Sequence, residues 1–348
     1  MGIELVKPEF AVGSEKRFFE FIQGLNDKDK VALISHTDLD GISAARVVNE
    51  VIDADVLKFV GYEELNDNLI EELKKSKIKK IIFTDLMIKE HLFIKKLEKF
   101  ADILIIDHHR FDKDFNSDKT VFLNAQDFCA AYLAYYLFSK TQDIEKLGWL
   151  VACASIADWM YFKNQEWMKE VFDKYEDNFF IEKSIRKSGK FWDLQWNLTL
   201  ALVYFKEDLR RVYDSIGVGF GEIGDLEKYS GDVQKEIDSF LKRFEKEKIE
   251  IKGGYFWEFK QGFEISSIVS SLLSSKYGDK TIVIGRDDGE YYKFSARRLD
   301  KREDMNLLLS SLIRDIKYAS AGGHVAASGG HVLLRDKEEF KRRLGVKE

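Results

Sequence analysis

Short β-branched runs alternate with amphipathic stretches from residue 31 to residue 124. The runs cover residues 31–35, 56–60, 80–84, 103–106 and 121–123. They are almost continuously apolar, the pattern of strands covered on both faces. Residues 43–52, 65–76 and 89–100 lie between them, each long enough for a crossover helix. This alternation predicts βαβ units and a mostly parallel sheet with flanking helices.

The pattern turns helical from Cys129 to about Lys248. Residues 130–138 and 147–157 read as core helices, and Trp- and Phe-rich segments follow through Tyr213. The glycines of 217–224 mark a loop, and 226–248 reads as a charged amphipathic helix joining a second domain. The last hundred residues read as a strand at 255–259, a Ser-rich helix at 264–277, and a hairpin of 281–286 and 291–297 around Asp287-Asp288-Gly289. Glycines then cluster at 322, 323, 329 and 330. The expected organisation is α/β throughout: a catalytic domain at 1–190, a helical connector at 191–250 and a smaller α/β domain at 251–348.

Composition narrows the function classes. The 348 residues include 61 acidic and 55 basic side chains, a net charge of −6. That balance argues against holding long nucleic acids by bulk charge alone. The charge is uneven: −9 over residues 1–180, −1 over 181–250 and +4 over 251–348. No apolar run reaches the roughly 20 residues of a membrane span, and the opening residues lack a secretory pattern. Two cysteines, Cys129 and Cys153, fit a reducing compartment, so a cytoplasmic protein is expected.

The candidate chemistry sits at strand ends. His36-Thr37-Asp38-Leu39-Asp40-Gly41 follows the first run, Asp85 the third, and Asp107-His108-His109 the fourth. Ligands of open parallel sheets bind at the carboxyl ends of strands, and those ends share one edge. So many carboxylates in one place need cations to balance them. Oxygen donors mixed with imidazole suit Mn²⁺ or a related first-row ion better than Ca²⁺. A single Asp after a strand is most often a turn or helix cap; three clusters at successive strand ends are not.

This ordered set resembles the DHH phosphoesterase superfamily, with Asp158 in Ala154-Ser155-Ile156-Ala157-Asp158-Trp159 standing as its fourth motif. Downstream, Ser320-Ala321-Gly322-Gly323-His324 through Gly330 resembles the glycine-rich segment of the DHHA1 domain, from which it departs at Ala321 and Ser328. Read alone, that segment is as readily a glycine-rich turn between helix and strand, an alternative that the upstream motifs outweigh. Ser295-Ala296-Arg297 resembles the same domain's Ser-x-Arg strand. The resemblance implies two divalent cations, Mn²⁺ first, with Mg²⁺ or Co²⁺ as alternatives. His36, Asp38 and Asp85 would hold one, and Asp40, Asp85, His108 and Asp158 the other. His109 would face the phosphate, and Asp107 would orient the adjacent imidazole. Arg297, Gly322, Gly323 and His324 would bind substrate phosphate.

Within the family, the His-x-Asp-x-Asp-Gly spacing is closest to RecJ-like exonucleases. A nuclease acting on single-stranded DNA or RNA, or on short oligonucleotides, is therefore expected. A nanoRNase or 3′-phosphoadenosine-phosphate phosphatase, and a cyclic-dinucleotide phosphodiesterase, are the enzymatic alternatives. A scaffolding subunit of a replication or repair complex is the alternative of another class, and a protein partner of that kind can accompany catalysis. Trp192, Trp196 and Trp257 are expected mainly in cores, with base stacking as their other use.

Overall fold

The structure is a computed structural model that describes residues 3–181, 187–260 and 262–346. Two compact units divide at Ser230 and Gly231. The first begins with α1 (Glu15–Gln23), β1 (Val31–Ser35), α2 (Leu39–Val51) and β2 (Val56–Phe59). It continues through α3 (Asp67–Lys75), β3 (Lys80–Thr84), α4 (His91–Leu97), β4 (Asp102–Asp107) and β5 (Thr120–Asn124). The five strands form one sheet in the order β2-β1-β3-β4-β5, with every neighbouring pair parallel.

Both faces of this sheet are covered, which is why its strands carry no polar alternation. Leu33, Ile82, Leu104 and Leu123 enter the core on one side, packed with α1 and α2. Ala32, Ile81, Phe83, Ile103 and Phe122 enter the core on the other, packed with α3 and α4. The first core extends into α5 (Ala130–Phe138), α6 (Gly148–Ala157), α7 (Gln165–Lys174), α8 (Lys190–Tyr204) and α9 (Leu209–Ser215). Helix α5 is buried along its whole length and α6 as far as Ile156, so their apolar character runs all the way round. The long α10 (Leu226–Glu247) follows, and the boundary between units falls within it.

The second unit contains β6 (Ile249–Ile251), β7 (Gly254–Glu258), α11 (Ser266–Lys276), β8 (Thr281–Asp288), β9 (Tyr291–Arg297), α12 (Met305–Leu312), β10 (Ser320–His324), β11 (Ala327–Leu333) and α13 (Lys337–Leu344). Its six strands are ordered β10-β11-β9-β8-β7-β6 and are antiparallel except for β7 and β8. Tyr292, Phe294 and Ala296 alternate inward from β9 onto α12 and α13.

Two local readings change. The glycine segment is no turn between helix and strand: residues 320–324 and 327–333 pair as a hairpin. Glycine's low strand preference is outweighed by the ladder that β9 offers to β11. Helix α2 also starts earlier than periodicity suggests, because Asp38 caps it and draws Asp40 and Gly41 into its first turn.

Among the described residues, no helix is long and apolar enough to cross a membrane.

Candidate metal centre

The carboxyl ends of the parallel strands place the site. The loop after β1 carries His36 and Asp38, and the Asp38 side chain accepts the Gly41 N–H at 3.0 Å. Gly41 is required here: a Cβ would lie 2.5 Å from the His36 carbonyl oxygen. That close approach turns Asp40 inward, where its oxygens accept the N–H groups of Ala130 (2.7 Å) and Ala131 (2.8 Å) at the start of α5. The exposed N–H groups of a helix end are a natural seat for a buried anion.

Asp85 follows β3 in left-handed backbone, φ 59°, with its N–H donating to the Ile106 carbonyl. A non-glycine residue there is uncommon, and such conformations gather at functional sites. Its side chain is buried, and neither carboxylate oxygen has a hydrogen-bond partner among the described residues. Around it, His36 Nδ1 lies 3.0 Å from Asp38 and 3.5 Å from Asp85. His108 Nε2 lies 3.3 Å from Asp85, 3.4 Å from Asp158 and 3.7 Å from Asp40. One imidazole nitrogen carries at most one proton, so it cannot satisfy three carboxylates by hydrogen bonding. The donors converge as ligands around a cation do. Three overlapping sets have metal-ligand spacing: His36, Asp38 and Asp85; Asp40, His108 and Asp158; and Asp85, His108 and His109. The mixed oxygen and nitrogen donors fit first-row divalent ions.

The electrostatics point the same way. Burial, then the neighbouring charges of Asp38 and Asp40, pushes the Asp85 carboxyl well above the usual carboxylate range. Burial and the Asp40 charge hold Asp158 up at about 7. Burial alone would lower His36, but the adjacent Asp38 and Asp85 carboxylates more than offset this and raise it to about 10. Without cations, the cluster keeps protons to moderate its own repulsion.

His109 sits beside this group with a different set of partners. Its Nδ1–H donates to Asp107 at 2.8 Å, and the Tyr62 hydroxyl donates to its Nε2 at 3.3 Å. The tautomer that satisfies both contacts carries its proton on Nδ1. The Tyr62 ring also stacks on His36 at 4.9 Å, and Asn124 donates to the His109 carbonyl. Sequence reading missed Tyr62 and Asn124. Both lie at or just beyond the ends of β2 and β5, on the edge that supplied the other residues, a placement that only the strand order reveals.

The remaining candidates lie in the second unit. Register pairs His324 with Ala327, and Ala327 with Arg297, so His324 and Arg297 share a sheet face two strands apart, about 10 Å at ~4.8 Å per strand. Gly322, Gly329 and Ser295 form the neighbouring row on that face. Arg297 Nε–H donates to Ser270 Oγ at 3.0 Å, and the Ser295 hydroxyl is buried without a hydrogen bond among the described residues. A Cβ at Gly322 would meet open space, so packing does not demand glycine there. Gly323 does need it, with φ 152° and a Cβ position 2.4 Å from the Ala327 carbonyl oxygen. Trp257, by contrast, is buried between Phe240 and Phe259 and donates to Glu247, a core residue.

The first unit is thus a parallel α/β sheet with clustered carboxylates and imidazoles on its carboxyl edge, and the second a mainly antiparallel sheet. Residues 30–162 match the DHH family N-terminal domain and residues 256–345 the DHHA1 domain. The chain belongs to the DHH/DHHA1 phosphoesterase superfamily.

Solved structures share the fold at low sequence identity. Exonuclease RecJ bound to manganese matches with a TM-score of 0.69 and 15% identity, over 98% of this chain and 94% of that one. RecJ in complex with Mn²⁺ from Thermus thermophilus matches at 0.69 and 14%, over 98% of this chain and 55% of that one. CDC45 from Entamoeba histolytica matches at 0.61 and 10%, over 95% of this chain and 98% of that one. No curated protein sequence matches the chain.

Proposed function

We propose that this chain is a metal-dependent exonuclease that releases nucleoside monophosphates from single-stranded DNA or RNA. The observation that carries the reading is the Asp85 carboxylate, buried without a hydrogen bond between His36 and His108. His36, Asp38 and Asp85 would hold one divalent cation, and Asp40, Asp85, His108 and Asp158 a second, with Mn²⁺ the favoured ion. When bound, such a pair supplies an activated water and positive charge for an in-line displacement at phosphorus.

The chain's own groups do the rest. Asp40 is fixed by the α5 N–H groups, so its position does not depend on a ligand. His109, held through Nδ1 by Asp107, presents Nε2 to a phosphate oxygen in place of the Tyr62 hydroxyl. Protonated there, it donates a hydrogen bond to the charge that builds on that oxygen. Arg297 offers a guanidinium fork to the substrate phosphate, with His324 and the backbone N–H groups of Gly322 and Gly323 as further donors. The spacing of His36, Asp38 and Asp40 favours the exonuclease over the nanoRNase and cyclic-dinucleotide readings.

The test supplies the purified chain and Mn²⁺ with end-labelled DNA and RNA strands of several lengths, and with cyclic dinucleotides. Stepwise release of nucleoside monophosphates is expected. His108→Ala should lower the rate at least ~100-fold. Arg297→Ala should raise KM about tenfold, the scale of a lost charged hydrogen bond, with metal content retained. Absence of phosphodiester cleavage would leave the scaffolding reading in its place, and full activity in His108→Ala would remove His108 from the proposed metal centre.

A further inference from the structure

Six tryptophans occur in the chain. Trp149, Trp167 and Trp257 are fully buried, whereas Trp159 follows the candidate ligand Asp158 and is linked through Lys187 to Trp192 and its neighbour Trp196. We infer that Trp159, Lys187, Trp192 and Trp196 form a track on which bases of a single-stranded nucleic acid stack as the strand leaves the metal centre. The inference rests on the proposed function for its substrate class and assigns a use to the helical region that the family motifs leave unexplained.

Trp159 directly follows Asp158 and is 46% exposed. Its backbone is left-handed at φ 59°, an unfavourable conformation for a bulky residue. The chain thus accepts backbone strain and keeps a large apolar ring in water, at a position one residue from a candidate ligand. Lys187 Nζ lies 5.7 Å from the Trp159 ring centre and 5.9 Å from that of Trp192. The two rings are therefore no more than about 12 Å apart, a few base-stacking steps of ~3.4 Å. Trp192 and Trp196 lie one turn apart on α8, half-buried, with ring planes within 14° and centres 6.3 Å apart. Aromatic faces with a cation between them suit bases and their phosphates together, because every base presents a π-face whatever its identity. A strand held this way is gripped locally, which reconciles nucleic-acid binding with a first unit of net negative charge.

The test is fluorescence anisotropy on the full chain in EDTA, so that binding is read without cleavage. The probes are a labelled oligothymidylate and an abasic strand of equal length. The wild type should bind the thymidylate at least about tenfold more tightly. Trp192→Ala should reduce that preference to about threefold or less, and Trp192→Phe should retain most of it. Lys187→Gln, a surface change without folding risk, should weaken thymidylate binding several-fold. Equal binding of the two strands by the wild type, an undiminished preference in Trp192→Ala, or unchanged affinity in Lys187→Gln would overturn the inference. A chain that stacks bases but cleaves nothing with Mn²⁺ would instead contradict the proposed function alone.

Discussion

Asp38, Asp40, Asp85 and Asp158 surround His36 and His108 at distances that suit ligands better than hydrogen-bond partners. Protons and cations therefore compete for the same atoms. The Asp158 carboxyl, ordinarily near 3.8, is raised to about 7. Between those values the folded metal-free protein holds a proton that the unfolded chain has released. This group thus stabilises the metal-free fold in acid, and its contribution is lost as pH rises through about 7. His36, raised to about 10, must also give up a proton to act as a ligand. Mn²⁺ affinity should accordingly rise about tenfold or more per pH unit between roughly pH 6 and 7. Calorimetric titrations at several pH values measure this, and a pH-independent affinity would show that these groups are not the ligands.

At the scale of elements, the site depends on how α2 leaves β1. The Ser35 hydroxyl donates to the Gly41 carbonyl at 2.6 Å and pairs with Thr84 Oγ1 at 2.7 Å, tying the β1 loop to β3. Gly41→Ala would drive a methyl group against the His36 carbonyl. The expected cost is about 1–3 kcal/mol, a loss of several degrees in melting temperature, together with a smaller stabilisation by Mn²⁺. Thermal melts with and without Mn²⁺ check both effects, and a variant that keeps the wild-type response would remove Gly41 from this role. The strands and their order of chemistry were legible because doubly buried strands leave uninterrupted apolar runs, and the residues at their carboxyl ends collect on one shared edge. Tyr62 was not, since a tyrosine after a strand signals nothing until β2 is known to lie beside β1. Nor was the hairpin of 320–333, whose glycines conceal a strand that only the β9 ladder can organise.

For the whole molecule, the net charge of −6 averages an acidic first part and a basic last one. Four of the first part's carboxylates belong to the proposed metal centre, where cations would offset them. The second unit's His324, Arg297 and Ser295 were legible as motifs, but their common sheet face follows only from the register across β10, β11 and β9. In the sequence Trp192 and Trp196 read mainly as core residues, with base stacking as their other use, because nothing in the spacing reveals Lys187 beside Trp192. The central claim is that one cluster holds two divalent ions with Asp85 shared between them. The most direct test is to count Mn²⁺ bound by the full chain in equilibrium dialysis, beside Asp85→Ala. The account predicts two ions per chain and the loss of both sites in the variant; no bound ion in the wild type, or two retained in Asp85→Ala, would contradict it.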